Sequence, residues 1–386
     1  MVESRRRSAT IVFALFLMGV VGGGAFVAMA AQDAVLESRS GSVSEVILDP
    51  AAPGFRAFTE ATPTVLVAHT SIAGPGQELL GVSILTPADA AVGGTVITVQ
   101  STFAADSSSP TLRDIYNSGG LDAVASALGE VAATGFTSTV ELDGEQWVSL
   151  IGDDAPVTLT LRTDLIETQE SFGRVVVDAD TRGFTPEELL TIVIHQNPSE
   201  PSLGAALRHQ EVWRAWISQT QGTSERSILA GTGGEEFARV LAALESGEVS
   251  FRTIPTSTRA VGPTEDTAYI ADESEIRSVF AQIVPFPTEV VPGDRPAVLL
   301  LDSTGGVVES NVFVEQIARS GGRVTILGNT VGEQQARNRV QFHDTAGGPL
   351  AAEIGGALGV SDVEDVPLDG ATTSVTVIIA APLPGS

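Results

Sequence analysis

Short apolar runs and helical repeats alternate along the chain from residue 63 onward. The runs TVLVAH, LLGVSIL and GTVITVQ are rich in β-branched and aliphatic residues, and Gly or Pro residues bound them. This composition predicts a series of buried strands. Leu121, Val124, Leu128 and Val131 then fall three or four positions apart, and Gly135 follows them. That spacing predicts a helix that ends near the glycine.

The clearest helix start in the chain follows Thr185. Pro186 takes the first helical position and Glu188 lies three positions after Thr185, which is the pattern of a capping box. A further helix is predicted from Ala205 to Ser218, and its apolar positions are Val212, Trp213 and Trp216. We expect both tryptophans to be core residues rather than a platform for a sugar.

The last part of the chain has its own order of elements. The proline- and glycine-containing stretch PFPTEVVPGDRP precedes it and predicts a domain boundary. Next come the strand AVLLLD with a glycine turn, a helix closed by Gly321, and the strand RVTILGN, which together predict a parallel β-α-β unit. Leu350, Ile354 and Leu358 predict a second helix that ends at Gly359, and SVTVIIAA predicts a final strand.

The amino terminus carries a membrane-targeting pattern. Arg5, Arg6 and Arg7 precede an uncharged stretch, in which residues 9–31 are long enough for one transmembrane helix. The positive-inside rule places residues 1–8 in the cytoplasm and the bulk of the chain outside the cell membrane. The alternative is a signal peptide that is cleaved near the Ala-Met-Ala sequence at 28–30, which gives a secreted protein. Residues 32–62 contain the patch DPAAPG and are predicted to form an exposed stalk.

Amino-acid composition excludes several kinds of catalytic and metal site. The chain has 48 acidic and 21 basic residues, for a net charge of −27, and all of the basic residues are arginine. The lack of lysine excludes a lysine nucleophile or Schiff base. The lack of cysteine excludes disulfides, thiol catalysis and thiolate-bound metals. The negative charge argues against a nucleic-acid partner.

The order of these pieces resembles the LytR-CpsA-Psr family, with its basic tail, single membrane crossing, stalk, α/β catalytic domain and small LytR C-terminal domain. Residues 297–386 are similar to that last domain through VLLLDSTGG, RVTILGN and PLAAEIGGALGV. Residues 63–285 are similar to the catalytic domain in element order, in YNSGG and in RHQEVWRAW. The resemblance implies an α/β domain with a central sheet at 63–285, a linker at 286–296 and a second, βαβ-containing α/β domain at 297–386.

The resemblance also implies an activity, namely a magnesium-dependent phosphotransferase that moves a wall glycopolymer from a polyprenyl-pyrophosphate lipid to peptidoglycan. Arginines hold the pyrophosphate in such a site, because guanidinium groups neutralise its spread charge. Here VITVQSTFAAD lacks the family's arginine near Thr102, TLRDIYNSGG lacks its lysine, and TIVIHQNP lacks its arginine pair. The chain keeps Tyr116, Gly119 and Gly120, an arginine recurs at Arg208, and Glu78 lies where the family places a metal-binding aspartate.

Two functions from different classes follow. The first, which the missing charges favour, is a non-catalytic envelope protein that needs no cofactor and binds peptidoglycan, another wall component, a lipid or a protein partner. The protein partner would bind through the C-terminal domain. The second is an active transferase that uses Mg²⁺. In that case Arg208 is catalytic and binds substrate, Tyr116 binds substrate, and Glu78 binds the metal.

Some of these residues also have ordinary structural interpretations. Arg208 could pair with an acidic neighbour or cover an aromatic face. The histidines have no metal-site spacing, and we expect them on the surface or at strand ends: His69, His195, His209 and His343.

Overall fold

The computed structural model describes residues 47–383, apart from residues 72–76, 89–90, 153–155, 170–171, 198–199, 222–233, 260–267, 307–309, 333–334, 362 and 369–370. The chain divides into two compact units. Residues Pro63–Val284 form the central unit, and the segment that ends at Thr62 forms the composite unit together with Pro285–Ser386. The predicted tail, the membrane helix or signal peptide, and the first part of the predicted stalk lie outside the described residues. Within the described part of the chain, no helix is long and apolar enough to cross a membrane.

The central unit contains a five-stranded sheet. Its strands are β2 (Val65–Thr70), β3 (Leu79–Pro87), β4 (Gly94–Gln100), β6 (Ser138–Leu142) and β11 (Val249–Thr253), in the order β11-β4-β3-β2-β6. The strands predicted from TVLVAH, LLGVSIL and GTVITVQ are thereby confirmed. β2 is parallel to β6 and β4 is parallel to β11, whereas β3 is antiparallel to both of its neighbours. The carboxyl ends of β2, β4, β6 and β11 and the start of β3 therefore share one edge of the sheet.

Helices cover both faces of this sheet. On one face, α1 (Leu112–Ala132) and α6 (Glu273–Ile283) pack with Leu66 and Ala68. On the other face, α2 (Gly144–Ile151), α3 (Pro186–Ile194), α4 (Ser202–Thr220) and α5 (Gly234–Glu245) pack with Val65 and Val67. Because both faces are buried, the strands read as continuous apolar runs instead of an alternating pattern.

Helix α1 begins earlier than the apolar repeat indicates. The repeat predicted a helix from Leu121, but the helix starts at Leu112, where Thr111 and Asp114 form a capping box. Gly120, with φ of 69°, kinks the helix, so the sequence pattern does not show its two parts as one helix. The helix ends at Ala133, which has φ of 51°, two residues before the predicted glycine.

Helices α3 and α4 follow the sequence prediction closely. Thr185 caps α3 and forms the predicted capping box with Glu188. Helix α4 extends the predicted helix by a few residues at each end. Trp213 and Trp216 are 0% and 1% exposed, so both are core residues as predicted.

Short strands complete the central unit. β5 (Phe103–Ala104) and β12 (Thr256–Arg259) flank β13 (Ala268–Ala271) in a three-stranded sheet. Two antiparallel pairs are formed by β7 (Val157–Thr160) with β10 (Thr181–Phe184), and by β8 (Leu165–Gln169) with β9 (Phe172–Val177).

The composite unit contains a six-stranded sheet and two helices among the described residues. The strands are β1 (Arg56–Phe58), β14 (Ala297–Asp302), β15 (Arg323–Asn329), β16 (Arg339–Phe342), β17 (Val363–Asp365) and β18 (Val375–Ile379), in the order β1-β15-β14-β18-β16-β17. The helices are α7 (Asn311–Arg319) and α8 (Gly347–Leu358). β14 and β15 are parallel, so the predicted β-α-β unit is confirmed.

The described part of the predicted stalk is a structural part of the composite unit. β1 pairs antiparallel with β15, and Asn329 Nδ2 donates hydrogen bonds of 2.8 Å and 2.9 Å to the carbonyls of Pro50 and Ala52. A strand of three residues has too few positions to show a pattern, so the sequence did not indicate it. The predicted linker also differs, because Phe286 is only 9% exposed and packs in the core of this unit.

Candidate functional site at the edge of the central sheet

Polar side chains gather where β2, β4 and β6 end and β3 begins. We call this cluster the polar edge, and its members are Thr70, Gln77, Ser101, Arg113, Tyr116 and Glu141. Thr70 and Ser101 are buried, whereas Gln77, Arg113, Tyr116 and Glu141 are half-buried. Parallel strands place their carboxyl ends together, so residues far apart in the sequence meet here.

A carboxylate lies at the centre of the polar edge. Tyr116, on α1, forms a side-chain hydrogen bond with Glu141, on β6. Gln77 Nε2 donates to Glu141 Oε1 and also to Thr70 Oγ1, at 2.8 Å. Burial, followed by the charge and hydrogen bond of Glu141, raises the pKa of Tyr116 to about 12. The phenol is therefore protonated at neutral pH and acts as a donor to the carboxylate.

Arg113 brings a positive charge to the same edge. It lies three positions before Tyr116 on α1, so the two side chains share one face of the helix. Arg113 Nη2 donates to Ser101 Oγ at 3.0 Å, and the Arg113 backbone N–H donates to the Ser101 carbonyl at 2.9 Å. Ser101 lies beside Thr102, near the position where the resembled family has an arginine. Sequence analysis did not select Arg113, although it stands in TLRDIYNSGG one helical turn before the tyrosine.

Arg208, predicted as a catalytic and substrate-binding residue, is engaged by the protein itself. It lies on α4, is 8% exposed, and forms an ion pair with Glu200. Its Nη2 donates to the His195 carbonyl, and its Nε donates to the Ile192 carbonyl at 3.3 Å. Burial lowers the pKa of Arg208, and the charge and hydrogen bond of Glu200 oppose that shift. The residue thus holds the end of α3 against α4, which is the structural alternative, and a substrate role stays a prediction that these contacts do not favour.

Glu78, the predicted metal ligand, is exposed beside the polar edge. Its backbone N–H donates to Ser71 Oγ at 2.8 Å, and its carbonyl accepts from the Ser71 N–H at 2.9 Å. No group of three or more potential metal ligands occurs among the described residues. Glu141, a carboxylate of the polar edge, already accepts hydrogen bonds from the Gln77 amide and the Tyr116 phenol. The metal role of Glu78 stays a prediction.

Two buried histidines lie deeper in the central unit. The rings of His69 and His209 have centroids 4.4 Å apart, and His69 also stacks on Trp147 at 5.4 Å. His69 Nε2 is 2.8 Å from Ser83 Oγ, and His209 Nε2 donates to the Val193 carbonyl at 2.7 Å. Both side chains are 1% exposed. The prediction of a surface or strand-end position is wrong for His209, because the middle of α4 faces the core rather than solvent.

The buried histidines are neutral groups. Burial lowers the pKa of His209 to about 4, against the hydrogen bond to Val193 and with the help of the Arg208 charge. Burial and the neighbouring His209 hold the pKa of His69 well below its ordinary value. Ser83 and His69 are closed to solvent, so the hydrogen bond between them serves packing and not nucleophilic attack.

Comparison with known proteins gives similarity at the level of solved structures only. No family model matches the chain, and no curated protein matches it. TagV of B. subtilis is 13% identical with a TM-score of 0.44, over 58% of this chain and 98% of TagV. A putative transcription regulator from Eubacterium siraeum is 15% identical with a TM-score of 0.47, over 62% of this chain and 99% of the regulator. A structure described as TagT bound to LIIa-WTA is 12% identical with a TM-score of 0.45, over 64% of this chain and 96% of TagT.

Proposed function

We propose that this chain is an extracytoplasmic cell-envelope protein related to the LytR-CpsA-Psr wall-polymer ligases, and that it binds a wall component without transferring it. The resemblance of its motifs and the targeting pattern at its amino terminus support the location. The observation that supports the absence of catalysis is that Arg208 already binds Glu200 and the end of α3. The protein is held in the cell membrane by residues 9–31, or is secreted if these residues are cleaved.

The contacts of Arg208 argue against pyrophosphate binding at that residue. A guanidinium holds a pyrophosphate by directing its N–H groups at the phosphate oxygens. In Arg208 the three nitrogens already donate to Glu200, His195 and Ile192. Turning them to a ligand would leave the Glu200 carboxylate, which is 12% exposed, without its partner, and breaking a largely buried pair in this way costs about 3 to 5 kcal/mol.

The charges at the polar edge argue in the same direction. Arg113 is accompanied by the carboxylate of Glu141, by Asp114 on the same turn of α1, and by the exposed Glu78. A pyrophosphate that approaches this edge meets more negative than positive charge. Repulsion of this kind raises the free energy of binding most strongly where the charges are partly shielded from water.

A second candidate function is the active magnesium-dependent transferase, and one observation favours it. Arg113 supplies a guanidinium at Ser101, close to the place where the family has a phosphate-holding arginine. In that case Arg113, with Tyr116 beside it, would bind the pyrophosphate of the lipid, and Glu78 would bind the metal.

A transfer assay separates these two functions. The full chain in detergent is given a polyprenyl-pyrophosphate-linked oligosaccharide and peptidoglycan, with and without Mg²⁺, beside an active wall-polymer ligase as a positive control. We expect no transfer by this chain, together with retention of the protein on insoluble wall material. Magnesium-dependent turnover that the substitution Arg113→Ala lowers would overturn the binding function and establish the transferase.

A further inference from the structure

We propose that the polar edge is a binding subsite for the hydroxyl groups of a neutral oligosaccharide. This inference rests on the proposed binding function and names the chemical class that the site would recognise. It differs from the lipid pyrophosphate that the family resemblance implies, and it is carried by the hydrogen bonds that Tyr116, Glu141 and Gln77 form with one another.

The groups at the edge match the chemistry of a sugar. An ionised carboxylate has about four acceptor sites on its two oxygens, so beside the bonds from Gln77 and Tyr116 it can still accept from two neighbouring hydroxyl groups of a sugar ring. Gln77 has an amide carbonyl in addition to the N–H₂ group that binds Glu141 and Thr70. Tyr116 adds an aromatic ring with a polar end, and such rings combine an apolar contact surface with a hydrogen bond.

The exposure of these groups suits a ligand from solution. Tyr116, Glu141 and Gln77 are half-buried, so each side chain is held in place but keeps a solvent-facing part. Tyr116 lies on α1, Glu141 lies on β6, and Gln77 lies two residues before the start of β3. A site on rigid elements with its side chains already hydrogen-bonded loses little conformational entropy when a ligand binds.

The charge of Glu141 distinguishes a sugar from a phosphate. Gln77 Nε2 donates to Glu141 Oε1, which holds the carboxylate in place at the polar edge. A fixed negative charge strengthens hydrogen bonds from sugar hydroxyls and repels phosphate oxygens. The substitution Glu141→Gln keeps the size of the side chain and removes its charge, so it has opposite effects on the two ligand classes.

The test measures binding of four probes to the full chain in detergent. Three are neutral, namely chitotetraose, maltotetraose and mannotetraose, and the fourth is inorganic pyrophosphate with Mg²⁺. Glu130→Gln, at an exposed position on α1, is the matched control that removes one carboxylate outside the polar edge. Tyr116→Phe removes only the phenol hydroxyl and serves as a second variant if Glu141→Gln does not fold.

We expect at least one neutral oligosaccharide to bind, Glu141→Gln to weaken that binding about tenfold, which is about 1.4 kcal/mol, and Glu130→Gln to leave it unchanged. Tyr116→Phe should weaken it by a smaller factor. The subsite is overturned if no neutral probe binds, or if Glu141→Gln and Tyr116→Phe both leave binding unchanged. It is also overturned if pyrophosphate binds and Glu141→Gln tightens that binding. Retention of the chain on wall material in the absence of oligosaccharide binding would remove the subsite and keep the proposed function, whereas turnover in the transfer assay would remove the proposed function itself.

Discussion

Two arginines of the central unit show how differently one residue type is used. Arg208 is 8% exposed, and its guanidinium donates to a carboxylate and to two backbone carbonyls. Arg113 is half-buried at the polar edge and donates to the hydroxyl of Ser101. The motif resemblance pointed to Arg208, but its contacts are those of a structural residue. The contacts of an arginine, and not its place in a motif, therefore decide whether its role is structural.

The largest expected effect is on the stability of the central unit in Arg208→Ala. Removing the guanidinium leaves Glu200 buried without its partner and the end of α3 without two donors, which should cost about 3 to 5 kcal/mol. Urea unfolding followed by tryptophan fluorescence measures it, because Trp147, Trp213 and Trp216 all lie in this unit. Arg174→Ala is the matched control, since its pair with Glu167 is 64% and 46% exposed and should contribute less than about 1 kcal/mol. Equal effects of the two substitutions would contradict a structural role for Arg208.

The second effect is a loss of stability of the central unit in acid. The ordinary pKa of histidine is about 6.5, and burial lowers the pKa of His209 to about 4, so protons bind the unfolded chain more readily than the folded one. The stability contributed by the neutral ring is complete above about pH 6.5 and is lost as the pH falls toward about 4, up to about 3 kcal/mol for this group. Burial and the neighbouring His209 also lower the pKa of His69, so its neutral ring adds to the loss of stability in acid.

Thermal unfolding at about pH 7 and about pH 5 checks this dependence. His209→Gln should lower stability at neutral pH and reduce the difference between the two pH values. An unfolding temperature of the wild-type chain that is unchanged between them would show that neither ring is held neutral.

A smaller effect is expected from Arg113→Ala. Among the contacts of Arg113, the substitution removes the hydrogen bond to Ser101 at a half-buried position where water can replace part of what is lost, so the free energy of unfolding should fall by about 1 to 2 kcal/mol. The same urea experiment measures it, and the comparison with Arg208→Ala is direct because both substitutions delete a guanidinium. If Arg113→Ala destabilises the unit as much as Arg208→Ala, the contrast between the two arginines fails.

The smallest effect is expected from Tyr116→Phe. It removes one hydrogen bond to a half-buried carboxylate, and should change the free energy of unfolding by about 1 kcal/mol or less. Absorbance titration provides a second measurement, because the phenol of Tyr116, with a pKa raised to about 12, should remain protonated at pH values where an ordinary tyrosine is ionised. Ionisation of both tyrosines of the chain near pH 10 would contradict the hydrogen bond.

Local sequence signals predicted the elements that depend on near neighbours. Thr185 with Glu188 marked the start of α3, and Gly359, with φ of 64°, marked the end of α8. The start of α1 was missed because Gly119 and Gly120 separate its capping box from its apolar repeat, although the helix continues through them with a kink at Gly120. In each case the information lies within a few residues, and the error arose where two local signals competed.

The candidate site depended on contacts that no local pattern carries. Ser101 and Arg113 meet through the fold, as do Gln77 and Glu141, which are 64 positions apart. The pairing of Arg208 with Glu200 spans only eight positions, yet it requires the break between α3 and α4 to bring the two side chains together. His209 was misplaced because its residue type was given more weight than its position, which is three and four residues before Val212 and Trp213 on the apolar face of α4.

Strand β1 has a consequence for the order in which the two units form during synthesis. Arg56 Nη1 donates to the carbonyl of Asn329, which lies 273 positions later, so β1 leaves the ribosome long before β15 is available to it. The entire central unit lies within the loop that this pairing closes. Closing a long unstructured loop costs conformational entropy. If the central unit folds first, the unstructured part of the loop becomes shorter and this cost falls. The composite unit is therefore expected to form last, after the rest of the chain has emerged.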